Sequence, residues 1–212
     1  MSLTFALAKG RLAKKTMKIL EELNIYCSEM TEESRKLVFV SDDKAYYFFL
    51  SKPSDVPTFV EHGVADLGIV GKDTLLEENK DVFEVFDLNF GNCRMMIAGS
   101  PKNKDLLYSN QLIRVATKYP NIACKYFEEI NKPVEIIKLN GSVELGPIVG
   151  LSDFIVDIVE SGKTLEENGL IVFDEICPLS ARVIANKASI KVKHEEIKDI
   201  LSKIEEVLKW LK

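Results

Sequence analysis

Two hydrophobic rhythms take turns along this chain. Leu3–Leu7 is a short apolar run of strand length, and Leu12, Met17, Ile19, Leu20 and Leu23 then recur at a helical spacing. Lys36–Ser41 and Ala45–Leu50 return to the strand pattern, with Asp42-Asp43-Lys44 between them as a hairpin turn. Ser54–His62 predicts a helix, capped by Ser54 or Asp55, carrying Pro57 in its first turn and stopped by Gly63. Ala65–Val70 is a buried strand and Asp73–Glu78 the start of a helix. A second series follows Asn89-Phe90-Gly91. Arg94–Ala98, Ile113–Ala116, Val134–Lys138, Phe154–Val159, Ile171–Ile176 and Arg182–Asn186 are strands. Helical patterns cover Tyr119–Ile130, the stretch around Pro147–Leu151, and Leu165–Asn168. Glu195–Leu211 is a strongly amphipathic last helix, with Ile197, Ile200, Leu201, Ile204, Val207, Leu208 and Leu211 on one face.

Strands alternating with helices predict an α/β protein of mainly parallel sheets. There are too many elements for one compact sheet in 212 residues. Two lobes around a cleft fit better, with lobe I as residues 1–90 plus 179–212 and lobe II as residues 91–178. A net charge of −5 argues against a general nucleic-acid binder, which needs a basic stripe to displace counterions. It leaves room for a phosphate-rich small molecule held by a few placed cations and backbone N–H groups. The N-terminus lacks the pattern of a signal peptide, and no apolar run approaches a membrane span. Four scattered cysteines and two histidines argue against a disulfide framework, a zinc site or histidine-based catalysis, so a reduced cytoplasmic protein is expected.

The most informative segment is Glu144–Leu165, ELGPIVGLSDFIVDIVESGKTL. A buried strand runs through Asp157 into Ser161-Gly162-Lys163-Thr164, which opens a helix. The first backbone N–H groups of a helix lack internal partners and favour negative charge. Gly162 lets the backbone approach a phosphate, and the Ser161 and Thr164 hydroxyls can donate to it. Asp153 and Asp157 could take sugar hydroxyls or a magnesium ion. A nucleotide-hydrolysing P-loop would need glycine at residue 157, where Asp157 stands. On the loop alone, an ordinary strand–loop–helix junction remains an equal alternative.

The same run resembles the signature of ATP phosphoribosyltransferases, with Glu144, Gly150, Ser152, Ile155, Asp157, Ile158 and Ser161-Gly162-Lys163-Thr164-Leu165 all matched. Further stretches carry the resemblance across nearly the whole chain: Leu3–Leu12, Asp55-Val56-Pro57, Gly63–Asp73, Cys93-Arg94 and Arg114–Pro120. The family's fold is bilobal, of the type II periplasmic-binding-protein kind. The resemblance implies transfer of a phosphoribosyl group from phosphoribosyl pyrophosphate to N1 of ATP, with magnesium, at the start of histidine biosynthesis. ATP is then expected on lobe I and the phosphoribosyl pyrophosphate loop on lobe II. It further implies the short form without a C-terminal regulatory domain. That form works as a homo-oligomer, expected to be a dimer, with a separate partner like the catalytic part of histidyl-tRNA synthetase.

By the resemblance, Ser161 to Thr164 hold the 5′-phosphate and Asp157 lies near the ribose. Asp157, Arg94 and Lys9 become the candidate catalytic residues, with Asp157 also the candidate magnesium ligand. Candidate substrate-binding residues are Gly10, Arg11, Lys52, Asp66, Gly71, Lys72, Glu144, Asp153, Ser161, Gly162, Lys163, Thr164 and Leu165. Lys9-Gly10-Arg11 ends the first strand, where open α/β sheets bind ligands. Arg11 and Arg94 suit bidentate phosphate contacts, although taken alone each reads equally as a surface ion-pair partner. Lys72-Asp73 reads as either a ligand contact or a helix start. At Lys52 the family pattern has arginine, and lysine keeps the charge while losing the planar fork. His62 and Cys93 read as a helix end and a small apolar residue. Trp210 reads as a packing or assembly contact. The rival class is a solute-binding module, which shares the bilobal pattern; a non-catalytic paralogue would have a damaged phosphate loop, and this loop is intact.

Overall fold

The computed structural model describes residues 2–31 and 34–210. In chain order the elements are β1 (Leu3–Ala8), α1 (Arg11–Glu22), β2 (Val38–Val40), β3 (Tyr46–Ser51), α2 (Val56–Glu61), β4 (Leu67–Gly71), α3 (Lys72–Glu78) and β5 (Phe83–Asp87). Next come β6 (Cys93–Gly99), α4 (Lys104–Leu107), β7 (Ile113–Thr117), α5 (Pro120–Glu129), β8 (Val134–Lys138), α6 (Leu145–Ile148), β9 (Phe154–Val159), α7 (Lys163–Glu167) and β10 (Ile171–Leu179). The chain finishes with β11 (Ala181–Ala185), α8 (Lys187–Val192) and α9 (His194–Trp210). Leu211, expected on the apolar face of the last helix, lies outside the described residues. Two compact units result, one of Met1–Gly91 with Ser180–Lys212 and one of Asn92–Leu179.

The first unit is a six-stranded sheet in the order β2-β3-β1-β4-β11-β5. Its two faces follow from the two-residue period of the strands. Leu3, Phe5 and Leu7 of β1 face Ile19 and Leu20 of α1 and Ile197, Ile200 and Ile204 of α9. Ala6 and Ala8 turn the other way, where small side chains let α2 come close through Val56 and Val60. Gly68 in β4 shows how close: a Cβ there would sit 2.7 Å from Val60 Cγ2 and 2.9 Å from Val56 Cγ1. Asn186 ties the returning chain down, since its amide caps α8 and donates to the carbonyls of Val60 (2.8 Å) and Glu61 (3.2 Å).

The second unit is a five-stranded sheet in the order β10-β6-β9-β7-β8. Met96, Ala98, Ala116, Ile155 and Val159 from its strands pack with Val143, Leu165 and Leu170. Thr117 locks two strands together, donating to the Val156 carbonyl (2.7 Å) and accepting from the Tyr119 N–H (2.8 Å).

Both sheets are mixed, where the alternation of elements predicts mainly parallel pairing. In the first unit β1 runs parallel to β3 and β4, but β2, β11 and β5 pair antiparallel. In the second, β7 runs parallel to β8 and β9, while β6 is antiparallel to β9 and β10. Alternation implies parallel strands only where a helix carries the chain back between neighbours. Here β2 and β3 are joined without one, and β11 and β6 pair with strands that do not adjoin them in the chain.

Candidate active site

In the first unit β1, β3 and β4 are parallel, with Ala8 opposite Ser51 and Leu7 opposite both Leu50 and Ile69. Their C-terminal ends therefore share one edge, from which Lys9-Gly10-Arg11, Lys52 and Gly71-Lys72 emerge. The Lys9 N–H donates to the Ser51 carbonyl at 2.9 Å, which fixes the first of these loops against β3. Gly10, at φ 102° and ψ −144°, makes a turn that only glycine takes readily. Lys9, Arg11 and Lys52 are exposed. Gly71 starts α3, and Asp73 lies in its first turn so close that a Cβ on Gly71 would overlap the carboxylate. Lys72 is ion-paired with Glu84 on β5.

The same edge gathers a cation missing from the sequence-based set. Arg182 on β11 reaches Glu84 at 3.3 Å and Asp87 at 2.8 Å, and Asp87 also accepts from the Ser180 hydroxyl at 2.8 Å. A charged residue inside the otherwise apolar strand Ala181–Ala185 was the available signal.

Asp66 does not join this group. It precedes β4 and so lies at the opposite end of the sheet. Its carboxylate accepts from Lys193 (2.7 Å), Ser189 Oγ (2.7 Å) and the Thr4 N–H (2.9 Å), and the residue is buried. Those three contacts hold α8, the turn before α9 and β1 together, so its work is structural.

In the second unit the candidate loop follows the C-terminal end of β9. The chain leaves Val159, which is paired with Arg94 of β6, and turns through Glu160-Ser161-Gly162 into α7. Gly162 takes the left-handed conformation, φ 78° and ψ −5°. Leu165 is buried in the core, where it anchors the loop, and it also contributes to the lining of the cavity in front of the loop. In front lies a cavity of about 220 Å3 whose lining includes Glu144, Asp157, Ser161, Gly162 and Thr164. Lys163 is exposed and does not line it. Arg94 is half-exposed and 3.5 Å from Glu175.

Asp157 is the unusual group. Burial pushes its carboxyl up to about 6, and Glu144 adds to the effect. The Ile158 N–H and the Lys118 ammonium act the other way and do not overcome it. Lys118 follows β7, whose Thr117 is paired with Val156, so the lysine stands beside Asp157 at the same edge. It too was absent from the sequence-based set, because strand pairing rather than proximity in sequence brings it there.

Asp153 sits one strand length away, before β9 begins. It accepts from the Arg114 backbone N–H (2.8 Å) and from its guanidinium (3.0 Å). Burial alone would raise its carboxyl, but these contacts outweigh it and hold the group below the usual carboxylate range. Asp153 therefore braces the start of β9.

Comparison with known proteins gives the family. The family profile described as ATP phosphoribosyltransferase (HisG) matches residues 52–206. An ATP phosphoribosyltransferase of Lachnoclostridium phytofermentans is 59% identical over 208 residues, covering 97% of each chain. One of Lachnospira eligens is 56% identical over 208 residues, covering 97% of this chain and 96% of the relative. Among solved structures, the ATP phosphoribosyl transferase (HisG:HisZ) complex from Thermotoga maritima matches with a TM-score of 0.85 and 38% identity over 98% of each chain. Tv2483 bound to L-arginine matches with a TM-score of 0.61 at 12% identity, covering 99% of this chain and 84% of that one, a likeness of fold alone. On the strength of the profile and the near-full-length identities, this chain is a member of the ATP phosphoribosyltransferase family.

Proposed function

We infer that the chain joins N1 of the ATP adenine to C1 of the phosphoribosyl group of phosphoribosyl pyrophosphate, the first step of histidine biosynthesis. The N1 lone pair forms the new bond as the bond from C1 to the pyrophosphate oxygen breaks, and pyrophosphate leaves with that electron pair. Positive charge grows on the ribose ring in the transition state and negative charge on the leaving group, so the protein's task is positioning and electrostatic stabilisation.

The observation that carries the reading is the cavity at the end of β9, where Asp157 and Glu144 face the Ser161–Thr164 turn. Gly162 and the loop hydroxyls suit the 5′-phosphate. Asp157 is buried without a full complement of positive charge, so a cation arriving beside it is favoured. A ribose ring gaining oxocarbenium character is such a cation. Arg94 and Lys118 stand at the same edge to meet phosphate oxygens. In the first unit, Lys9, Arg11, Lys52 and the Gly71-Lys72 turn form the phosphate-facing edge that we assign to ATP, with Arg182 as an added cation. Asp66 and Asp153 are left out of the contact set, since each is committed to the fold, whereas Leu165 lines the cavity and stays in it.

The family uses a divalent metal, and we propose magnesium. Asp157, Glu144 and Ser161 offer hard oxygen donors, which suit it. Among the described residues no group of three or more His, Cys, Asp or Glu could hold a metal ion, so substrate oxygens would complete the coordination around Asp157. Such an ion, when bound, reduces repulsion between the two polyphosphates. A cytoplasmic location fits the four free cysteines. The chain works with a regulatory partner of the HisZ kind, as the Thermotoga maritima protein does in its complex.

The test follows phosphoribosyl-ATP by absorbance, with both substrates, magnesium, pyrophosphatase and the HisZ-type partner. Product should require both substrates. Thr164→Ala should raise KM for phosphoribosyl pyrophosphate by about 10- to 100-fold, the loss of roughly 1–3 kcal/mol in a charge-assisted contact. No product with the partner present, together with no binding of phosphoribosyl pyrophosphate, would reject the reading.

A further inference from the structure

The second unit has another cavity, of about 320 Å3, at the edge from which β7 and β8 start, opposite the phosphate loop. Lys132 lines it and is only 9% exposed. Its ammonium donates to the carbonyls of Leu106 (2.9 Å) and Ser109, and among the described residues it has no carboxylate within ion-pair distance. An ammonium carries three N–H donors, so one remains. A covered cation without a counter-ion is a costly arrangement. Burial pushes this lysine below the usual range, and no neighbouring charge opposes the shift.

The walls around it are aromatic and apolar: Tyr108, Tyr126, Leu107 and Ile130. Tyr126 is fixed by donating its hydroxyl to Asp174, the one acid in the lining, whose other oxygen accepts the Glu175 N–H at 2.9 Å. Asp174 is thus committed and does not neutralise Lys132. Tyr108 is 68% exposed and stands free to cover an occupant. A single cation, with neither arginine nor a glycine turn, suits one negative charge rather than a phosphate dianion. We propose that this cavity binds a small aromatic carboxylate, the Lys132 ammonium taking the charge and the two tyrosines the ring. Phosphoribosyl transfer makes no use of it, so the site stands independently of the proposed activity.

Ligand-observed saturation-transfer NMR on the full chain tests this with benzoate and its uncharged analogue benzamide. Benzoate should bind with Kd on the order of 1 mM, as expected for so small a ligand. Benzamide should bind at least tenfold more weakly. Thr164→Ala should leave benzoate binding unchanged, whereas Lys132→Met should weaken it at least tenfold and Tyr108→Ala three- to fivefold. If near-UV circular dichroism shows that Lys132→Met has lost its fold, Tyr108→Ala decides. The proposal is overturned if benzoate does not bind or binds no better than benzamide. It is equally overturned if binding survives in every folded one of these two variants or disappears in Thr164→Ala.

Discussion

The two ends of β9 treat an aspartate in opposite ways. Before the strand, Asp153 is clasped by the Arg114 guanidinium and backbone N–H, and its carboxyl is held below the usual range. Inside the strand near its far end, Asp157 is covered by protein without such a partner, and its carboxyl is pushed up to about 6. Both ends also turn on a glycine of the same conformation, Gly150 before the strand and Gly162 after it, each at φ 78°. The chain has satisfied its charge where it needs a brace and left it unsatisfied at the end we assign to the substrate. Unfavourable electrostatics in the free protein thus mark the proposed site.

The sharpest way to break this contrast is Asp157→Asn. It should lower kcat by about 100-fold or more and yet raise stability at neutral pH, by on the order of 2 kcal/mol. The sign follows from linkage. A carboxyl raised above its ordinary value of 3.8 binds more protons in the folded state between about 4 and 6, so it destabilises the fold fully above about 6. Stability should therefore rise in the wild type as pH falls through that window, and the variant should lose this slope in urea melts. An active or less stable variant would remove the contrast. Asp153→Asn should do the reverse, costing about 1–3 kcal/mol of stability while kcat stays within roughly twofold. Because its carboxyl is lowered, that stability is present above the ordinary carboxyl range and disappears as pH falls through the lowered value. The finest test is the glycine pair. Gly150→Ala and Gly162→Ala should each cost about 1 kcal/mol, since neither Cβ meets anything closer than 3.9 Å and the cost is in the backbone. Only the second should also raise KM for phosphoribosyl pyrophosphate.

Much of this was legible in the sequence, for identifiable reasons. The strand through Phe154–Val159 and the turn at Ser161–Thr164 stood out because a buried apolar run ends in residues with a defined conformational use. Asp153 reads from the sequence as a substrate contact, and the structure pairs it with Arg114. Four residues of strand put roughly 13 Å between Asp153 and Asp157, too far for one ligand atom. The contacts of Asp66 are not legible in the sequence, since its partners Lys193 and Ser189 lie more than a hundred residues away. Lys118 and Arg182 were missed on the same ground, because sheet pairing brings them to their edges. Strand β5 escaped notice since Phe83–Asp87, at the margin of the sheet, is mostly exposed and has no alternating apolar pattern. Helix α8 hid against α9 because only Lys193 separates them.

The position of β11 has a bearing on how the protein is made. This strand lies between β4 and β5, so β5 has no other strand to pair with. A ribosome delivers residues 92–179 as one continuous stretch able to collapse alone, whereas the sheet that began at Leu3 must wait for residue 185. Until then β4 presents an unpaired, apolar edge to other nascent chains. Slow, aggregation-prone maturation of the first unit, rescued by chaperones or by lower expression temperature, is the expected cost of inserting an interior strand last.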